Sequence, residues 1–348
     1  MKNPLSLFAM AALVAGLFGA WAGAAEARDQ IRIVGSSTVY PFATAVAEEF
    51  GKTSAFKTPV VEATGSGGGL KLFCSGIGVD YPDITNASRR IKASEVKLCA
   101  SNGVSGITEV QIGFDGIVLA SSRASSPINI SLQQLWMALA KEVPGDDGAL
   151  VPNPYETWRQ IAPDLPDARI EVLGPPPTSG TRDAFVELAM EGGCKTFPEV
   201  LAIKAEDKGA FKHICHTLRE DGAFVEAGEN DNLIVQKLEA NPTAFGVFGF
   251  SFLDQNRDRI QGNSIDDVEP TFDNIAAGDY PVSRSLYFYV KQTHVGVIPG
   301  IVEYLDAFTD EETWGDFGYL TDKGLIPMPE EDREAVRESA LALEPLAL

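Results

Sequence analysis

Apolar positions recur along this chain with two alternating periods. Runs at 31–34, 60–63, 84–87, 113–120, 170–173 and 286–290 are short, β-branched or aromatic, and bounded by Gly, Ser, Pro or Asp, as buried strands are. Between and after them, helical spacing predicts helices at 41–50, 70–73, from about 94, and at 131–139, 183–190, 211–219, 231–241, 298–309 and 331–343. Leu132, Leu135, Trp136 and Leu139 form a core stripe. Residues 244–253, apolar, aromatic and punctuated by Gly, read as one buried strand, and 144–154, rich in Gly, Asp and Pro, as a surface loop. The alternation predicts an α/β fold, each unit a mixed, mainly parallel sheet flanked by helices, with ligands gathered at the strands' carboxyl ends.

Three of the strand-to-helix connections share a chemistry. Gly35-Ser36-Ser37-Thr38, Gly65-Ser66-Gly67-Gly68-Gly69 and Thr178-Ser179-Gly180-Thr181-Arg182 each follow a strand-like run and open a helix-like one. Helix starts leave backbone N–H groups unpaired at the positive end of the helix dipole, so an anion is stabilised there. Gly admits a close approach, and Ser and Thr hydroxyls add donors or cap the helix. Each loop alone reads as an ordinary cap; the three together predict an oxyanion site.

Net charge complicates that prediction. The chain carries −21 at pH 7, and Lys2 and Glu26 cancel within the first 27 residues, so the rest is strongly acidic. This balance argues against a nucleic-acid partner. A small anion must be held by short-range donors, which is feasible because the screening length is about 8 Å at physiological ionic strength.

The N-terminus has a charged start at Lys2, an uncharged apolar stretch over 4–25 and small residues around Ala25, the pattern of a secretory signal peptide over 1–27. A retained membrane anchor is the competing reading. The remaining length of about 320 residues favours two cores. Export permits disulfides, and the local pairs Cys74 with Cys99 and Cys194 with Cys215 are favoured among three connectivities. His213 and His216 beside Cys215 leave a metal site with Cys194 as an alternative.

Four stretches, 31–42, 65–70, 83–89 and 179–185, together with 280–291 (Tyr-Pro-Val-Ser-Arg-Ser-Leu-Tyr-Phe-Tyr-Val-Lys), resemble the periplasmic phosphate-binding protein of the high-affinity phosphate ABC importer, in order and approximate spacing. The resemblance implies a two-lobed periplasmic-binding-protein fold with the ligand in the interlobe cleft, lobe one over 28–118 plus 284–348 and lobe two over 119–283. It further implies a periplasmic monomer without cofactor or metal that takes inorganic phosphate to membrane permease subunits. Matched position by position, Ser37, Thr38, Ser66, Ser88, Arg89, Ser179, Gly180 and Thr181 are the expected ligand residues.

Two positions depart from the family pattern. Some members carry an acidic proton acceptor directly after the Ala-Ser of the third loop, where this chain has Arg89. Many carry an Arg four residues before the Ser of Ser-Gly-Thr, where Pro175 stands. Arg89 and Arg182 are then the candidate cations, and Asp115 and Asp183 the candidate acceptors, although Asp183 also suits a helix cap. The three histidines, His213, His216 and His294, lie outside every anion loop, and no Gly-x-Ser-x-Gly elbow is present, which favours binding over hydrolysis. Another tetrahedral oxyanion, such as sulfate, arsenate or a phosphonate, is the alternative ligand, and an exported phosphatase the alternative activity.

Overall fold

A computed structural model describes residues 28–228 and 231–347; the signal-peptide segment 1–27 lies outside the described residues. The main sheet has nine strands, which we number along the chain: β1 (Arg32–Gly35), β2 (Val60–Ala63), β3 (Ile84–Ala87), β4 (Ile107–Ser122), β5 (Val172–Gly174), β6 (Phe224–Glu226), β7 (Phe245–Gly249), β8 (Ile260–Gly262) and β9 (Ser283–Lys291). Their spatial order is β2-β1-β3-β9-β4-β7-β5-β6, with β8 also paired to β4. Parallel pairs (β1 with β2 and β3, β5 with β6 and β7) alternate with antiparallel ones around β4 and β9. The 16-residue β4 pairs with β9 up to Gly116 and with β7 from Ile117 onward, so one unbroken strand serves both halves of the sheet. A β-bulge falls between Leu286 and Tyr287.

Burial follows from the sequence pattern. Ile33, Val34, Ile84, Thr85, Asn86 and Ala87 are buried on both faces, as expected of central parallel strands. The helix Tyr40–Thr53 has Pro in its first turn and buries Phe42, Ala43, Val46, Ala47 and Phe50, one face of a 3.6-residue period. The helix Ser66–Phe73 lies against β1 and β3, where Gly69 leaves no room for a side chain: a Cβ there would sit 2.4 Å from Gly35 Cα. Both disulfides form as locality favours, Cys74–Cys99 in the first half and Cys194–Cys215 in the second, which removes the metal-site alternative.

Two segments differ from expectation. Residues 244–253 are not a single strand: β7 stops at Gly249 and a helix, Phe250–Gln255, follows. The run is almost wholly apolar because the helix also packs inward, burying Phe250 and Leu253, and its polar positions, Ser251, Asp254 and Gln255, are too few to mark the change of period. The stretch 144–154 contains the return of a small hairpin, Glu142–Pro144 with Leu150–Pro152, whose turn closes through Gly145 N–H to Ala149 O at 2.8 Å.

Beneath the first half lies a buried ionic cluster. Asp83, fully buried, accepts from Arg28 (2.7 Å), the Arg32 backbone N–H (2.7 Å) and His294 Nδ1 (2.6 Å). His294 Nε2 accepts from Gly78 N–H at 2.9 Å, which makes Nδ1 the protonated nitrogen. Lys291 donates to Gly76 O at 2.6 Å and lies over the rings of Phe73 and Tyr81. Burial pulls its ammonium down to about 8, against the attraction of Asp83. The unfolded chain keeps that proton to about 10.5, so between these values the folded state binds fewer protons and stability rises with pH. Relative to Lys291→Met, the wild type is expected to gain up to about 3 kcal/mol from pH 8 to pH 10.5 in urea unfolding. A difference that stays flat across that window would contradict a desolvated ammonium.

Candidate functional site

The Ser/Thr/Gly loops all leave the carboxyl ends of strands. After β1, Ser36 turns the chain inward: its N–H donates to Asn86 O at 2.9 Å, and its hydroxyl accepts from Val39 N–H at 3.3 Å. Ser36 is thus tied into the turn that leads to the helix, and Ser37 and Thr38 follow it at the sheet end. After β2, Gly65 (φ +71°) opens the helix at Ser66. Ser66 Oγ accepts from Ser88 N–H at 3.0 Å and lies 3.1 Å from Ser88 Oγ, which joins the second loop to the one after β3. In the other half, Ser179 caps its helix through Thr181 N–H at 3.2 Å; this helix, Gly180–Phe185, runs on as a π-helical turn, Val186–Met190.

The first and last loops meet. Ser37 Oγ donates to Asp183 Oδ2 at 2.8 Å, across 146 residues of sequence. A Cβ on Gly180 would stand 3.4 Å from both Ser37 O and Thr38 Cα, ordinary contact distance, so the two loops lie side by side here. Beside this contact is a cavity of about 540 Å³ whose wall includes Thr38, Asp115, Thr178, Ser179, Gly180 and Thr181. Five of the residues expected from sequence, Thr38, Asp115, Ser179, Gly180 and Thr181, therefore share one space. Ser37 and Asp183 are bonded to each other next to it.

The other expected residues are placed differently. Ser66 and Ser88 form their own pair and are not on that wall. Arg89 makes a two-pronged bond to Glu95 at 2.7 and 2.9 Å, which raises the guanidinium and holds Glu95 below the usual carboxylate range although burial pushes it upward. Arg182 donates to Pro175 O at 3.0 Å and stacks over Phe224 at 4.4 Å; burial lowers its pKa, against the pull of Glu226 and Asp183.

Sequence reasoning overlooked Arg284, which lies directly opposite Asp115 in the β9–β4 register. Its side chain is 9% exposed and Asp115's 14%. Burial raises Asp115, and Arg284 offsets part of that rise. The overlooked signal is a charged residue at the head of an otherwise apolar strand, since such a group requires a partner. Ser251, Phe252, Gln255 and Lys323 also border the cavity and carry no motif that would have flagged them.

Comparison with known proteins agrees with this architecture. Protein SphX of Synechococcus elongatus is 30% identical over 298 residues, 84% of this chain and 77% of that protein. The phosphate-binding protein PstS of Staphylococcus saprophyticus is 27% identical over 319 residues, 90% of this chain and 85% of that protein. Among solved structures, a possible phosphate binding protein from Planctomyces limnophilus matches with a TM-score of 0.71 at 25% identity, covering 90% of this chain and 98% of that one. A model of the PBP superfamily domain matches residues 21–312, and the chain belongs to that superfamily, with its periplasmic-binding-protein fold.

Proposed function

We propose that this protein is an exported solute-binding protein that takes inorganic phosphate between its two halves and hands it to the permease of an ABC importer. The observation that carries the reading is the meeting of Thr38 with Ser179, Gly180 and Thr181 from the opposite half around one cavity that also holds a carboxylate, Asp115. Relatives named phosphate-binding protein PstS support the ligand, and their role as binders supports a protein that releases its ligand unchanged. In this reading 1–27 is a signal peptide, 28–118 plus 284–348 and 119–283 are the two lobes, and the protein acts as a monomer in the periplasm.

The chemistry of recognition follows from donor and acceptor counts. The Gly180 backbone N–H and the hydroxyls of Thr38 and Thr181 donate to phosphate oxygens, while the Thr181 N–H is held by the Ser179 cap. Asp115 accepts the proton of HPO4 2−, whereas sulfate has no proton to offer and meets a like charge. Ser37 takes part through its backbone, because its hydroxyl proton is directed at Asp183. Ser66 and Ser88 tie the second loop to the one after β3, with Arg89 and Arg182 bound within their own halves.

Calorimetric titration of ligand-stripped protein with phosphate and with sulfate, at pH 8 and pH 5, tests this. Phosphate alone is expected to bind at pH 8. Sulfate is expected to gain on phosphate as the pH is lowered, because burial makes Asp115 easier to protonate than an ordinary carboxylate. Thr181→Val should weaken phosphate binding by about 1–3 kcal/mol while leaving the circular dichroism unchanged, since a charged oxygen loses a donor. Sulfate binding as tightly as phosphate at pH 8 would overturn the ligand assignment.

A further inference from the structure

A strongly acidic protein that binds an anion benefits from a cation close to the site, yet the two arginines nearest in sequence are engaged elsewhere, Arg89 by Glu95 and Arg182 by Pro175 O and the Phe224 ring. Arg284 is disposed differently. Its Nη2 donates to Thr38 Oγ1 at 2.6 Å, its Nη1 to Glu187 Oε2 at 2.7 Å, and its Nε faces Asp115 Oδ2 at 3.4 Å. Thr38 and Asp115 both stand on the cavity wall. Glu187 stands on the π-helical turn that continues the Ser179 helix. One guanidinium thus grips a donor and an acceptor of the first half while anchored to the second.

Hydroxyl chemistry gives this arrangement a consequence. A threonine hydroxyl has one hydrogen and two lone pairs. With a lone pair of Thr38 taken by a guanidinium, its hydrogen is left to donate, and a charge-assisted bond on the oxygen polarises that O–H further. Resting on the phosphate reading above, we infer that Arg284 is the positioning residue of the anion site: it fixes Thr38 as a donor toward the ligand and holds the Asp115 carboxylate beside it. Lys323 borders the cavity directly, whereas Arg284 acts from behind the wall, a place that neither Arg89 nor Arg182 occupies.

The test is a double-mutant cycle read by phosphate calorimetry. Arg284→Gln and Thr38→Val are each expected to weaken phosphate by about 30-fold, because each removes the same charge-assisted donor. The double variant should be within about threefold of Arg284→Gln alone, since residues acting through one another are not additive. Arg284→Gln combined with Thr181→Val, on the opposite side of the cavity, should instead multiply the two single effects, a contrast that general loosening of the fold would not produce. Arg284→Gln should also narrow the phosphate-to-sulfate ratio, through its loss of hold on Asp115. Affinity of Arg284→Gln within about threefold of wild type, or multiplicative effects with Thr38→Val, would overturn the inference while leaving the phosphate reading intact. Wild type that fails to bind phosphate would end both. If Arg284→Gln does not fold, Arg284→Lys serves in the same cycle. A single ammonium cannot reach three partners in that geometry, so about tenfold weaker binding, again non-additive with Thr38→Val, is expected, and full affinity would refute the role.

Discussion

Replacing Gly35 with alanine is expected to destabilise the protein by about 3 kcal/mol or more and to abolish phosphate binding. Gly35 has φ +135°, a region that side-chain-bearing residues rarely enter. A Cβ there would lie 2.1 Å from Asn86 O and 2.7 Å from Asn86 N, both backbone atoms of the neighbouring central strand. Neither can yield without separating β1 from β3. On the other side Gly69 brings its helix against the same Cα, so the strand cannot retreat that way. Gly35 also begins the loop carrying Ser37 and Thr38, and any shift moves those donors away from the cavity. Urea unfolding followed by circular dichroism, beside a phosphate titration, reads both effects. Destabilisation below about 1 kcal/mol would mean that the junction is less tightly packed than its distances imply.

The second large effect is expected at Asp83. Asp83→Ala should cost about 3–5 kcal/mol, because removing one partner of a buried charge pair leaves the other uncompensated. Here the Arg32 N–H and His294 Nδ1 lose their acceptor, the Arg28 guanidinium is left with Tyr81 O, and Lys291 loses its nearby counter-charge. Asp83→Asn is expected to lie between alanine and wild type, since an amide oxygen still accepts from the Arg32 N–H. Chemical denaturation of the three proteins at pH 7 decides the order. Equal stability of Asp83→Ala and wild type would show the cluster to be well hydrated. The cluster is far in chemistry from the anion loops, so the alanine variant that remains folded should still bind phosphate.

The parts of this molecule that were legible in sequence are those whose signal is local. The strands 60–63 and 84–87 were read to the residue because short β-branched runs between turn residues have few alternatives. The Ser/Thr/Gly loops at the strand ends were legible because Gly, Ser and Thr carry their conformational and donor chemistry with them. The helix at 250–255 was missed because a six-residue helix continuing a mostly apolar strand gives too short a period to read. Arg284 was missed because its meaning comes from partners 246, 169 and 97 positions away, which only the folded chain brings together: Asp115 through the β9–β4 register, Thr38 from the loop after β1 and Glu187 from the π-helical turn. Likewise Arg89 was an attractive cation on motif grounds, but Glu95, six residues on and at the start of a helix, is in reach of it.

The strand β4 has a further consequence. Five of its residues, Ile117 to Ser121, pair with β7, while its earlier residues pair with β9, so neither half possesses a complete set of edges. A fragment expressed from one half would present that bare ladder to other molecules and invite self-association. Reporter fusions or split versions of this protein are therefore better made by inserting partners at exposed turns such as 145–148 than by dividing the chain between its halves.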